Sequence, residues 1–343
     1  MTARKLFAAA HSILRLLRNP SDINKRLTHY GIGRLILNRM RFYSPLFSIT
    51  VKGLRLIRIA VDPFGYFYRK KLARELSKHS KYKQVMPSDK GFAILPPGTF
   101  EAVDQIIPEA RSLYHDFYHN YVEMDRITDR HSSLLSYSPI NGYLHGRVDL
   151  REYPNFQSLA EYRPFIEIAS TYLGEFPILG SIDLQMILPS LQSSPTTGEK
   201  DLGSQEFHID SGGSAGRQVK CFIPIEDINE KNGATLFLDA TTSRKLADSI
   251  SYRAGRIPDK VVFSNPWQQY LVSTNCPSGS VIFLDSYRTI HCGGRVTLQP
   301  RVMITLQYVS PYVAAETALQ RKRFDFDIQR ALANNISKHL FNL

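Results

Sequence analysis

Cysteine is scarce in this chain. There are three in 343 residues, Cys221, Cys276 and Cys292, with an odd count and no C-x-x-C pair. That argues against a disulfide framework or a structural zinc site, and it predicts a reducing, cytoplasmic setting. Long apolar runs are missing too. None approaches the roughly 20 residues that a membrane span requires, so no crossing of a bilayer is expected. The first twenty residues, MTARKLFAAAHSILRLLRNP, begin like a secretory signal, but Arg15 and Arg18 interrupt the apolar stretch and no small-residue cleavage site follows. An Arg-rich, acid-poor start also resembles a mitochondrial presequence, and that reading stays open. Internal repeats and low-complexity segments are absent. With 43% hydrophobic and 22% charged residues, the composition allows a sizeable globular core.

Negative charge is scarce at one end only. Residues 1–85 hold 19 Lys/Arg against 3 Asp/Glu, and the rest of the chain holds 24 against 28. The basic character therefore belongs to the N-terminal quarter. Over residues 49–60, Lys52, Arg55 and Arg58 recur every third position among Val51, Leu54, Ile57 and Ile59, the pattern of a basic amphipathic helix. A second basic run, residues 66–83, carries Tyr66, Phe67, Tyr68 and Tyr82. The plain meaning of such runs is a solvated face. A functional meaning is peripheral contact with an anionic membrane, with apolar sides flanked by Lys and Arg. Nucleic-acid binding would use a basic stripe with aromatics, but no nucleic-acid motif accompanies this one. Oligomeric state is not readable.

The organisation predicted from these patterns is a basic helical region over 1–85, one domain over 86–313 and a C-terminal helix over 314–343. A short strand is expected at 91–96 and helices at 99–119 and 156–174, the second closing at Gly174. The chain then turns to β, with short strands at 182–189, 219–224, 235–238, 280–284 and 302–309, punctuated by Asn-Gly, Ser-Gly and Gly-Gly turns. Such a series fits a closed or sandwiched antiparallel architecture. The stretch 240–276 is long for a connection and holds Arg244, Lys245, Tyr252, Arg253, Arg256, Trp267 and Tyr270, so a lid or substrate loop is expected there.

The chemistry centres on Phe207-His208-Ile209-Asp210. Residues i and i+2 of a strand point to one face, so His208 and Asp210 can offer a nitrogen and an oxygen together. An H-x-D alone is a weak sign in a chain with ten histidines. His291 adds weight: it follows the strand at 280–284 and precedes Cys292-Gly293-Gly294. Two imidazoles and one carboxylate on one face leave the opposite coordination positions open, as in non-haem iron(II) oxygenases. Ten residues later, Arg301 opens the last strand, and its guanidinium fork suits a carboxylate. Lys220 and Gln185 are weaker candidates to face the same ligand.

Five segments in this order resemble the phytanoyl-CoA dioxygenase family of 2-oxoglutarate-dependent oxygenases. They are F-H-I-D at 207–210, E-D-I-N-E-K-N-G-A at 226–234, S-G-S-V-I-F-L-D-S at 278–286, I-H-C-G-G at 290–294 and P-R at 300–301. The resemblance covers residues 90–312. It implies a mainly β fold with flanking helices, built on a double-stranded β-helix (jelly roll). It also implies Fe(II) held by His208, Asp210 and His291, with 2-oxoglutarate anchored by Arg301. The expected activity is a dioxygenase hydroxylating a C–H bond of a small-molecule or lipid-linked substrate. Halogenases of this type replace the carboxylate ligand, so Asp210 favours hydroxylation or another hydrogen-abstraction outcome. Three departures blur the subgroup: Phe207 where Trp is common, Ser278-Gly279-Ser280 where Gly-Asp is usual, and no Asn after His291. The alternatives are a non-catalytic jelly-roll binding module and a membrane-surface scaffold built on the N-terminal region.

Overall fold

A computed structural model describes residues 40, 43–124, 135–140, 143–188, 205–210, 218–253, 255–295 and 299–312. The signal-like first twenty residues and the helix expected over 314–343 lie outside the described residues.

The two basic helices form as Pro45–Val61 (α1) and Pro63–His79 (α2). Pro63 opens α2 where a missing N–H is no loss, and the Asp62 carboxylate accepts the Gly65 N–H at 3.0 Å. The expected short strand is β1, Phe92–Leu95, and the helix after it is α3, Glu101–Met124. A pair of strands not foreseen follows: β2 (Leu135–Ile140) and β3 (Tyr143–Asp149). The expected helix at 156–174 is in fact two, α4 (Pro154–Ala160) and α5 (Arg163–Leu173). Pro154 sits in the first turn of α4, and Pro164, in the first turn of α5, fixes the break between them. Helix α5 ends at Gly174 with φ 68°, a left-handed cap that glycine adopts without a Cβ penalty.

Strands β4 (Ile178–Leu188), β5 (Gln218–Pro224), β8 (Val281–Leu284) and β10 (Arg301–Val309) complete an antiparallel seven-stranded sheet in the order β1-β8-β5-β10-β4-β3-β2. A smaller antiparallel sheet joins β6 (Leu236–Phe237) to β7 (Val272–Ser273) and β9 (His291–Cys292). The sheets touch where the Phe92 and Phe237 rings meet edge to face at 4.8 Å. The result is two antiparallel sheets flanked by helices, a jelly-roll-like arrangement.

Strand β10 shows how sequence divides the two faces. Val302, Ile304, Leu306 and Tyr308 point to one side and join Val103, Ile106, Phe165 and Ile168 of α3 and α5 in the main core. The buried Tyr308 hydroxyl is satisfied by the Ala160 carbonyl at 2.7 Å. Arg301, Thr305 and Gln307 alternate with them on the opposite, polar side, in register with Ile187, Asp183 and Ser181 of β4. The pairing slips between Gln307 and Tyr308, skipping Gly180, the kind of bulge at which glycine is favoured.

The 240–276 stretch differs from the expected lid. It holds α6 (Ala240–Ser249) and α7 (Asp259–Val262), and Leu246, Ala247, Tyr252, Ile257 and Val262 pack in one buried cluster with Phe207, Ile209 and Ile290. It therefore buttresses the strands beside the metal candidates. Helix α2 is tied to α5 by the Ser77–Thr171 hydroxyl pair at 2.8 Å, and Arg55 of α1 neutralises the buried Glu175 at 2.8 Å.

Phe165 links three parts of the main core, its ring meeting Phe100 at 5.1 Å and Phe283 at 5.5 Å. Phe165→Ala should cost about 3–5 kcal/mol through lost burial and a residual cavity. Urea denaturation measures it, and a loss under about 1 kcal/mol would show that α5 is not seated on the sheet as described.

Candidate metal centre

His208 and His291 come from segments 83 residues apart in sequence. They are held together by a pair of backbone bonds, His208 N–H to His291 O and the reverse, each 2.9 Å. Residues opposite each other in an antiparallel pair place their side chains on one face. The two imidazoles accordingly lie 4.5 Å apart, centroid to centroid. Asp210, two residues on, points the same way, and its N–H is fixed by the Ser286 carbonyl at 3.0 Å. One nitrogen from each histidine and one Asp210 oxygen lie within 4.8 Å of one another, a cluster able to hold a metal ion.

The tautomers follow from the second contact of each ring. His208 Nδ1 lies 2.7 Å from the Glu206 carbonyl and His291 Nδ1 lies 3.0 Å from that of Thr289. A carbonyl only accepts, so Nδ1 carries the proton in both rings and Nε2 is left with its lone pair. Both Nε2 atoms face Asp210 Oδ1, at 3.3 and 3.8 Å. Burial pushes the His291 pKa down to about 3, against the opposing pull of Asp210, and His208 and Lys220 push it the same way. The ring is therefore neutral at pH 7, as ligation requires. Burial alone would raise the Asp210 pKa, but Lys220, His291 and His208 together hold it well below the usual range. The donor set fits a divalent metal with two nitrogen ligands and one carboxylate on one face.

The expected site residues fall as follows. Lys220 of β5 lies in the site, its Nζ 2.5 Å from Asp210 Oδ2. It holds the second carboxylate oxygen and leaves Oδ1 toward the imidazoles. Arg301 is buried at 6% exposure, and its NH1 donates to Gly233 O at 3.2 Å and Thr235 Oγ1 at 3.0 Å. Among the described residues no carboxylate pairs with it, and its Nε has no partner. Burial lowers its pKa to about 10, so it remains a cation at neutral pH. It approaches the metal cluster through the small sheet: Thr235 precedes Leu236, which pairs with Cys292, the neighbour of His291. Gly294 is required there, because a Cβ would fall on the Gly233 carbonyl and 2.6 Å from Arg301 NH1. Gln185 is half-buried and pairs with Met303, one step along the same face from Arg301.

Sequence reasoning missed Gln218. Its Nε2 reaches Ser286 Oγ at 2.7 Å and Asp210 Oδ2 at 3.3 Å, while its Oε1 accepts from Gln307 at 2.6 Å. Its only sequence signal was its place at i−2 from Lys220 on one strand face. Arg295 was also missed as a support. It clamps Asp259 through two bonds of 2.6 and 2.7 Å and the Gln205 carbonyl at 3.1 Å, pinning the segment that carries His208 against the 240–276 insertion.

No protein-family model matches the chain, and no curated protein matches it. Solved structures similar to it include SnoN, a non-heme alpha ketoglutarate dependent epimerase from nogalamycin biosynthesis. The identity is 16%, over 70% of this chain and 84% of that one, with a TM-score of 0.42. SnoK, a carbocyclase of the same dependence and biosynthesis, is 14% identical over 73% and 91% of the two chains, with a TM-score of 0.42. HygX from Streptomyces hygroscopicus, solved with nickel, 2-oxoglutarate and hygromycin B, is 13% identical over 67% and 87%, with a TM-score of 0.39. At such distances the function of this chain rests on its own residues.

His208→Ala, Asp210→Ala and His291→Ala should each weaken Fe(II) binding at least about a hundredfold. Gln218→Ala, which removes one of the two donors to the outer carboxylate oxygen, should weaken it about tenfold. Anaerobic calorimetric titration reads both effects, and wild-type affinity in the three ligand variants would remove the metal assignment.

Proposed function

We propose that this chain is an Fe(II)- and 2-oxoglutarate-dependent oxygenase of the phytanoyl-CoA dioxygenase type, hydroxylating a C–H bond of a small-molecule or lipid-linked substrate. One observation carries the reading: a three-donor metal face accompanied by a buried guanidinium that has no carboxylate among the described residues and is hydrogen-bonded to Thr235, next to the strand that pairs with His291-Cys292. An uncompensated buried charge costs several kcal/mol. Arg301 is held by two neutral oxygens and keeps donors to spare, which suits an anionic cosubstrate such as the far carboxylate of a 2-oxo diacid. Iron and 2-oxoglutarate, when bound, supply oxygen activation and the oxidising equivalents, with succinate and carbon dioxide as coproducts.

The chain's own residues then have distinct tasks. His208, Asp210 and His291 would hold the metal from one side and leave the other open. Lys220 and Gln218 fix which Asp210 oxygen faces it. Thr235 accepts from Arg301 NH1 and so keeps its own hydroxyl proton to donate, a second contact suited to the same carboxylate. The polar face of the large sheet retains hydrogen-bonding capacity, since among the described residues Thr305 Oγ1 and Arg147 Nε have no partner. Arg147 also pairs with Asp183 and Ser181 on that face. A substrate whose head group offers hydroxyls or other polar groups suits such a wall better than a bare hydrocarbon.

Arg301→Ala should lower 2-oxoglutarate affinity about one to two orders of magnitude, from the loss of a charge-assisted pair worth about 1.5–3 kcal/mol. Iron affinity should stay within about twofold. Anaerobic titration of the iron-loaded protein with 2-oxoglutarate, alongside succinate release, checks it. A variant with wild-type cosubstrate dependence would place the anchor elsewhere. Iron binding with no succinate release by the wild-type chain under any substrate would favour the binding-module alternative.

A further inference from the structure

Helix α1 is apolar on two sides. Phe47, Val51 and Leu54 share the side that packs among Phe207, Ile209, Ile290 and Cys292. On the far side Leu46, Ile49, Leu56 and Ile57 fall within an arc of about 100° that no charged residue interrupts. They are 62, 66, 64 and 40% exposed. Helix α2, which begins two residues after α1 ends, exposes Phe64 (88%), Phe67 (66%) and Tyr68 (48%) in its first turns, ahead of the buried Ala73 and Leu76. Exposed Lys52, Lys71, Arg74 and Lys78 border these groups. Over residues 45–79 eight Lys/Arg stand against two Asp/Glu. A contiguous apolar face on a soluble fold marks a contact surface, and its charge says which kind.

We infer that the outer face of α1 and α2 docks on an anionic phospholipid bilayer, lying in the interface with its apolar side chains among the acyl chains. Apolar side chains flanked by Lys and Arg suit that boundary, where hydrocarbon and anionic head groups meet. No described helix is long and apolar enough to cross a membrane, so the contact is peripheral. Nucleic acid fits less well, because four of the seven exposed apolar side chains are aliphatic and have no π face on which a base could stack. A second copy would set eight basic groups against eight. The terminal stretches of the chain offer no complement either. Residues 1–39 carry eight Lys/Arg and one Asp/Glu, and residues 313–343 carry five and three. The inner side of α1 packs on the residues that flank His208 and His291, so a docked α1 holds the metal centre close to the bilayer.

The test uses the full chain and sedimentation with vesicles of phosphatidylcholine alone, or with about a third phosphatidylserine. The expected result is at least about tenfold more binding to the anionic vesicles at low salt, largely reversed at about 0.5 M salt, where the Debye length is only a few Å. Ile49→Glu with Leu56→Glu, and Phe64→Glu with Phe67→Glu, should each reduce partitioning about tenfold or more at an unchanged melting temperature. If a pair lowers the melting temperature, Lys71→Glu with Lys78→Glu, both on the exposed side, should still weaken binding severalfold. The inference is overturned if the chain stays in the supernatant with both vesicle types, or if the folded variants sediment like the wild type. It is equally overturned if the same substitutions abolish binding to single-stranded RNA, or dimerisation in sedimentation velocity, while lipid binding is absent. Because vesicle binding needs neither iron nor 2-oxoglutarate, these outcomes are independent of the oxygenase reading.

Discussion

Two backbone hydrogen bonds between His208 and His291 set the geometry on which the rest of the site depends. A register slip of one residue in that pairing would turn one imidazole to the opposite face and leave no metal site. The pairing is short, so it must be held from outside. Phe207 and Ile209 on one strand, and Ile290 and Cys292 on the other, point away from the metal side into a shared apolar cluster. The Arg295–Asp259 clamp then fastens the first strand to the insertion. The insertion between residues 240 and 276 thus acts on the chemistry indirectly, by fixing a register.

The parts of this architecture that sequence could show are those written in local alternation. His208 and Asp210 are two apart, so their common face follows from strand geometry alone. Strand β10 alternates strictly enough for Arg301, Thr305 and Gln307 to be assigned to one side, and Gly174 marks the end of α5. What stayed hidden depends on distant partners. Gln218 looks like any polar strand residue until β5 is laid beside β10 and Ser286 arrives from beyond β8. Helix α6 follows its Ala240 with Thr241-Thr242-Ser243, weak helix formers, and forms because Asp239 accepts the Thr242 N–H at 2.8 Å and Leu246 is buried. The strands β2 and β3 flank Asn141-Gly142, a strong hairpin dipeptide, but their Ser, Pro, His and Arg content masked the alternation that would have supported it.

The seven-stranded sheet places its two faces under different constraints. One face buries aliphatic and aromatic side chains under α3, α4 and α5 and supplies the cohesion of the fold. The other carries Arg147, Asp183, Lys220, Gln218, Thr305, Gln307 and Arg301, groups that cost stability when drawn from water unless each finds a partner. Most are paired with one another, which makes the polar face a rigid network and fixes the positions of its donors. Arg301 differs from Arg147 in that no carboxylate among the described residues pairs with it. A buried guanidinium with no carboxylate among the described residues, on the face that also carries unpartnered Thr305 Oγ1 and Arg147 Nε, suits an anionic ligand.

The same reasoning applies to the surface. Within the large sheet and its helices, apolar groups are covered, and exposed Ile94, Ile250 and Phe263 are scattered singly, as on any soluble protein. Helices α1 and α2 depart from that rule by carrying seven exposed large hydrophobic groups in a region with a fourfold excess of positive over negative residues. Solubility alone would favour polar residues at these positions, and core packing is already provided by the opposite side of α1. The two departures, an apolar outer side and a one-signed charge border, coincide on one pair of helices. An anionic lipid interface accommodates both at once, because it offers hydrocarbon to the first and head-group charge to the second. A water-exposed role explains the charge and leaves the leucines and phenylalanines without a reason. The segregation of charge along the chain is thereby connected to the position of the metal centre: α1 is the element that belongs both to the outer surface and to the cluster that holds the ligand register.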